Sequence, residues 1–297
     1  MKRFARAAAV LALVLLAAPH ELPAAERRLI AETDLFELVW IADPQISPDG
    51  RQVAFVRVTV NEKKTGYDTA LWIVPTDASE PARPFTSGPR DNSPRWSPDG
   101  AWIAFNRSTE KGGERQQSQI YLISLKGGEA VPLTALPQGA AGHSWSPDGR
   151  TIAFVSTTKD EDLQEKKEKD GGEERESDVR VITRADYRSD GGGYAEPGRP
   201  VHLWTVGMPA GGAKAPEPKQ VTRGELDEDV PVWSPDGKLL YFAANRNREA
   251  YYPPPDTDLY AVPAGGGEIR KVLDMEGSAG VPFFSPDGRR MAFAGVV

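Results

Sequence analysis

The sequence predicts an all-β chain of repeated four-stranded sheets, and three observations carry that prediction. Its 297 residues include 29 Gly and 26 Pro, roughly a fifth of the chain against an average of about 12%, which favours many turns over long helices. One tetrapeptide, Ser-Pro-Asp-Gly, begins at Ser47, Ser97, Ser146, Ser234 and Ser285. Each copy is followed by an aliphatic residue and then a Phe, spaced two apart: Val53/Phe55, Ile103/Phe105, Ile152/Phe154, Leu240/Phe242 and Met291/Phe293. A period of two implies a strand with one buried face.

The turn itself explains its residues. Pro sets φ for the second position of a type I turn, Asp fits the third, and Gly supplies the positive φ that returns the chain into a hairpin. Asp49, Asp99, Asp148, Asp236 and Asp287 occupy equivalent turn positions, so they read as structural carboxylates. A later strand is marked by Leu71 and Trp72, Ile120 and Tyr121, Leu203 and Trp204, and Leu259 and Tyr260. Just before the turns sit Ile46, Trp96, Trp145, Trp233 and Phe284.

Successive turns are 50, 49, 88 and 51 residues apart. The long interval keeps the same landmarks but carries about 33 extra residues between Gly149 and Trp204 and about 5 more between Trp204 and Gly237. It is therefore one decorated repeat. Units of about 50 residues with short strands and hairpin turns match the blades of a β-propeller. Counted turn to turn, four full blades span 51–100, 101–149, 150–237 and 238–288, and a fifth begins before Val297. The broken fifth repeat gives the expectation of an incomplete ring, the N-terminal portion of a longer protein.

Composition excludes several function classes. The formal charge is −7, without the basic surplus that phosphate backbones select for, so nucleic acid is not an expected partner. The absence of Cys removes disulfides, thiolate catalysis and Cys-ligated metals. Lys2, Arg3 and Arg6, the apolar run Ala7 to Ala18, and Pro23-Ala24-Ala25 read as a secretory signal over 1–25. The apolar run is shorter than the roughly 20 residues needed to span a bilayer. Periplasmic or secreted localisation follows, with no membrane span after signal removal, and residues 26–46 serve as a lead-in to a propeller over 47–297.

The charged insertion, about 158–195, has two parts. Lys159 to Arg180 holds six basic and ten acidic residues among 22 and reads as a solvated loop; Asp160-Glu161-Asp162 lacks the spacing and glycine of a calcium loop, and no metal or cofactor is expected. The stretch Val179 to Tyr194 alternates and ends in Tyr187, Arg188 and Tyr194. Arg offers a bidentate fork to carboxylates and Tyr a stacking face, so Tyr187 and Arg188 are the candidate substrate-binding residues. An edge-strand or inter-domain contact is the competing reading. His143 stands where other repeats have Pro94, Pro231 and Pro282, and His202 lies beside Trp204 in a strand; both read as packed residues. No Gly-x-Ser-x-Gly occurs, and Gly277-Ser278-Ala279-Gly280 lacks that spacing, so no catalytic residue is assigned.

Ala42 to Gly50, the insertion with Val179 to Tyr194, and Pro231 to Gly237 leading to Phe242 and Asn245-Arg246 together resemble the front half of a secreted prolyl oligopeptidase family serine peptidase, of the acylaminoacyl-peptidase and dipeptidyl-aminopeptidase branch. The resemblance implies a seven-bladed parent propeller that gates access for short peptides, and a C-terminal α/β-hydrolase domain absent from this chain. An alternative is a propeller scaffold for protein–protein interaction resembling that of the periplasmic Tol system. A propeller enzyme acting on sugars would need paired carboxylates; Asp227, Glu228 and Asp229 approach a blade end but read as a solvated loop. Self-association into a homo-oligomer stays open.

Overall fold

The computed structural model describes residues 28–164, 181–182, 187–189, 193–194, 198–209, 214–247 and 256–296. The expected signal segment and the middle of the charged insertion lie outside them. The chain divides into two units, Met1–Leu38 and Val39–Val297. Within the first, a 3-10 helix spans Glu32–Glu37, and Arg28 pairs with Asp34.

The second unit is all-β. Its four four-stranded antiparallel sheets are built from Val39–Ile46, Gln52–Val60, Tyr67–Pro75 and Arg83–Pro84; from Asp91–Trp96, Trp102–Arg107, Gln119–Ser124 and Val131–Pro132; from Ala141–Trp145, Thr151–Ser156, His202–Gly207 and Lys219–Gln220; and from Val232–Trp233, Leu239–Ala244, Asp258–Pro263 and Arg270–Leu273. These are blades 1 to 4 of a propeller that is not closed into a ring. A fifth repeat contributes the paired segments Phe283–Phe284 and Met291–Ala292.

The blade frame differs from the turn-to-turn count. Each Ser-Pro-Asp-Gly turn joins the first and second strands of one sheet, because the limbs of a tight hairpin pair with each other. The strand before each turn thus belongs to the blade that follows, and Val39–Ile46, assigned above to the lead-in, is the first strand of blade 1.

The turns repeat at the level of single atoms. Ser47 Oγ donates to Asp49 Oδ1 (2.6 Å) and accepts the Gln52 N–H (3.0 Å), Asp49 Oδ1 accepts the Arg51 N–H (3.1 Å), and the Gly50 N–H donates to the Ser47 carbonyl (2.8 Å). In all five copies the serine hydroxyl lies 2.5 or 2.6 Å from the aspartate, and the glycine φ lies between 67° and 71°. The serine hydroxyl, and after it a backbone N–H, holds each carboxyl below the usual carboxylate range. These aspartates therefore serve the backbone.

The strands after the turns bury two faces rather than the single one that period two implies. Ile103 and Phe105 share a core with Ala54, Val56 and Leu71 of blade 1, while Ala104 between them joins Ile152, Phe154 and Trp204 of blade 3. One repeat on, Ala153 joins Leu240, Phe242 and Tyr260 of blade 4. Large residues face the preceding blade and small ones the following blade, so the core consists of three clusters between blades. Blade 4 has Tyr241 at the small position, and the fifth repeat answers with Phe284 in place of Trp; the rings meet edge-on at 5.1 Å.

Tryptophans stitch the first strands side by side. Trp96 Nε1 donates to the Gln45 carbonyl (3.0 Å), Trp145 Nε1 to Arg95 (3.0 Å) and Trp233 Nε1 to Ser144 (3.1 Å). In blades 1 to 3 the first strand also carries a bulge, with positive φ at Asp43, Ser93 and Gly142. Gly142 is required there, since a Cβ would lie 2.3 Å from Val230 Cγ1.

Antiparallel alternation gives each blade two ends. The turn end carries the Ser-Pro-Asp-Gly hairpins and the connections from third to fourth strand. The loop end carries the connections from second to third strand, including the insertion, and the crossings to the next blade.

Candidate functional site

The buried serines of the hairpins lie at the turn end, whereas the buried carboxylates Asp91, Glu228 and Asp258 lie at the loop end. In blade 2, Asp91 is fully buried and accepts two bonds from Arg107, Nε to Oδ1 and Nη2 to Oδ2, both 2.7 Å. The guanidinium lies 5.1 Å from the Phe105 ring centre and 5.2 Å from that of Tyr121. Blade 4 repeats the device. Arg246 Nη2 donates to Glu228 Oε1 (2.8 Å) and stacks near Phe242 and Tyr260, 5.7 and 5.3 Å away. Asp91 and Glu228 each stand six residues before the serine of a turn.

Glu228 is the hub of a larger group. Its Oε2 meets His202 Nδ1 at 2.8 Å and accepts the Thr222 hydroxyl at 2.9 Å. Thr222 Oγ1 in turn accepts the Leu203 N–H (2.8 Å), as Thr86 and Thr134 do from Leu71 and Ile120. The solvated-loop reading holds for the exposed Asp227 and Asp229 and is corrected for Glu228. Glu228 is buried, Asp227 Oδ1 accepts the Val201 N–H (2.7 Å), and only Asp229 keeps its bond local, to Val230 N–H. The carboxylate turns inward because Arg246 and His202 offer it partners that a buried charge requires. Next to it, Lys271 Nζ pairs with Asp258 at 2.6 Å, and burial raises the Tyr260 hydroxyl above its usual range.

His143 and His202 are both buried, as expected of packed residues. Asn106 Nδ2 donates to the Ala140 carbonyl (2.6 Å), so Asn106 Oδ1 is the acceptor facing His143 Nδ1 at 3.1 Å, and the imidazole Nε2 is buried with no well-formed hydrogen bond among the described residues. Burial pushes this imidazole down to about 4, with Arg95 acting in the same direction. A depressed histidine pKa makes the folded state favour the neutral ring, so stability is complete above the unfolded value of about 6.5 and falls as pH drops toward 4. Wild type is expected to lose about 3 kcal/mol more between pH 7 and pH 4 than His143→Gln, read from urea midpoints across that range.

At the base of the insertion, a short helix, Asp160–Leu163, begins where Asp162 Oδ2 accepts the Lys159 N–H (2.9 Å). Arg199 grips Asp162 through two bonds (2.7 and 3.0 Å), and Arg223 reaches Asp160 (2.9 Å). The bond from Arg199 holds the Asp162 carboxyl below the usual range. Further out, Arg188 pairs with Tyr194 across a two-residue ladder. The Arg188 guanidinium sits 5.4 Å from the Tyr194 ring centre, Tyr187 lies 6.3 Å from the same ring, and Tyr187, Arg188 and Tyr194 are exposed. The candidate pair therefore forms a small aromatic and cationic platform, with Tyr194 as its third member. Among the described residues no group of three or more His, Asp or Glu is arranged to hold a metal ion, and no helix is long and apolar enough to cross a membrane.

The sequence pattern of the TolB beta propeller domain (PD40) matches residues 20–186. The chain belongs to this family. Among curated relatives of this TolB-type propeller, an uncharacterized peptidase, YuxL of Bacillus subtilis, is 36% identical over 223 residues, covering 74% of this chain and 32% of its own. Dipeptidyl-peptidase 5 of Porphyromonas endodontalis is 27% identical over 274 residues, covering 87% of this chain and 37% of its own. The chain thus spans about a third of the length of these relatives. Among solved structures, Pyrococcus horikoshii acylaminoacyl peptidase superposes with a TM-score of 0.58 at 18% identity, over 88% of this chain and 36% of that one. A putative TolB from Agrobacterium tumefaciens gives 0.54 at 20% identity, over 86% and 70%. The TolB-type propeller of this chain is a domain found both in TolB proteins and in the front portion of peptidases.

Proposed function

We propose that this TolB-type propeller is an exported polypeptide-binding module that makes no bonds itself. The observation that carries this reading is where its acid–base groups go. Glu228, His202, Asp91 and His143 are consumed inside the blades, whereas the exposed platform of Tyr187, Arg188 and Tyr194 offers stacking faces and a guanidinium suited to peptide and carboxylate contact. The family match favours a scaffold for protein–protein interaction in the manner of the Tol system.

The 36% identity to a peptidase more than twice this length supports a second reading. There the chain is the gating propeller of a larger exported serine peptidase, whose hydrolase domain would hold the catalytic triad. Titrating the full chain with short peptides having a free or amidated C-terminus separates the two. As a gate it binds the free peptides and loses at least about tenfold in affinity with Arg188→Ala. As a scaffold it does not distinguish free from amidated peptides and is indifferent to Arg188→Ala. Chemical change of the peptides during titration would overturn the common claim.

A further inference from the structure

The five extra residues in the decorated repeat have a structural consequence at the end of the blade opposite the insertion. The connection from third to fourth strand of blade 3 runs over 208–218, against 125–130 in blade 2 and 264–269 in blade 4. Its described part stands beside the junction of blades 3 and 4, where an open groove of about 800 Å³ lies between two successive turns. Ligand sites commonly fall in the range of about 300–1,000 Å³.

Three prolines contribute to the groove's walls. Pro147 and Pro235 come from the two turns, Pro216 from the long connection, and the Trp233 ring joins them. Trp233 is buried in the core between blades 3 and 4 and its N–H is committed to the Ser144 carbonyl, so only a strip of apolar ring reaches the groove. The charged lining is Asp148, Asp236 and Glu217 against the single cation Lys219. Asp148 spends Oδ1 on Ser146 and the Arg150 N–H, Oδ2 has no hydrogen bond among the described residues, and Asp236 has Lys238 at 3.5 Å. Glu217 has no ion-pair partner among the described residues.

We propose that this groove binds an extended polypeptide segment in which a Lys or Arg is flanked by proline. The basic head meets Asp148 and Glu217, while its methylene stem and the flanking rings lie on Pro147, Pro235 and Trp233, the division of labour that long cationic side chains follow. Anionic segments are rejected by the same carboxylates. The site is independent of the platform at the loop end and does not rest on it.

The test uses the full chain and two N-acetylated, C-amidated pentapeptides, Ala-Pro-Lys-Pro-Ala and Ala-Pro-Glu-Pro-Ala, followed by isothermal titration. The lysine peptide is expected to bind at least about tenfold more tightly than the glutamate one, and Glu217→Lys to weaken it by at least about tenfold. Glu225→Lys, an exposed change at the loop end, is expected to leave binding unchanged. Equal binding of the two peptides, binding of neither, or indifference to Glu217→Lys would overturn the proposal. Loss of the effect of Arg188→Ala on other peptides would not touch it.

Discussion

Phe154→Ala is expected to destabilise the chain by about 3–5 kcal/mol, the range for emptying a phenylalanine site in a packed core. Phe154 is fully buried and sits in the cluster between blades 2 and 3 with Ile120, Leu122, Leu136 and Trp204. Its neighbours belong to two different sheets, each fixed by its own ladders, so the cavity cannot be closed by moving one side chain. Glu161→Ala, on the exposed helix at the base of the insertion, is expected to stay within about 0.5 kcal/mol of wild type. Urea denaturation of both variants checks the pair, and equal midpoints would contradict the inter-blade core.

Glu228→Gln is the second large effect, expected to cost about 3 kcal/mol because it removes a fully buried carboxylate and leaves the partly buried Arg246 without its counter-charge. Arg246, whose buried Nε has no other partner among the described residues, loses its counter-charge, and the single carbonyl oxygen of Gln cannot serve both Arg246 and the His202 and Thr222 side that Glu228 Oε2 serves. Adding Arg246→Met to Glu228→Gln removes the stranded charge, so the double variant is expected to be more stable than Glu228→Gln alone. A double variant whose loss equals the sum of the singles would show that the two side chains do not act as a unit.

The blades were legible because one tetrapeptide marks the first hairpin of every blade and because Phe105, Phe154 and Phe242 keep a fixed distance from it. The frame was not, since counting from turn to turn separates Val39–Ile46 from the strand with which it pairs. Period two also hid the second buried face: Ala104 and Ala153 are too small to announce burial, yet their size lets the next blade approach. At the loop end, Glu228 was obscured by its acidic neighbours Asp227 and Asp229. Its signal was positional, in that it stands where Asp91 stands relative to the turn, each with an arginine just beyond the core phenylalanine. The threonines after Phe85, Leu133 and Val221 formed another readable repeat. Tyr187 and Arg188 could be named from residue type alone, but their stacking on Tyr194 depends on a hairpin that no periodicity signals.

The central functional claim is that this propeller binds polypeptide and leaves its bonds intact. Chromogenic acyl-peptide and dipeptide substrates, incubated with the purified full chain through successive repurification steps, test it most directly. The account predicts no release of chromophore above buffer at any step. A rate that persists at constant specific activity through repurification would place a working nucleophile in this chain and contradict it.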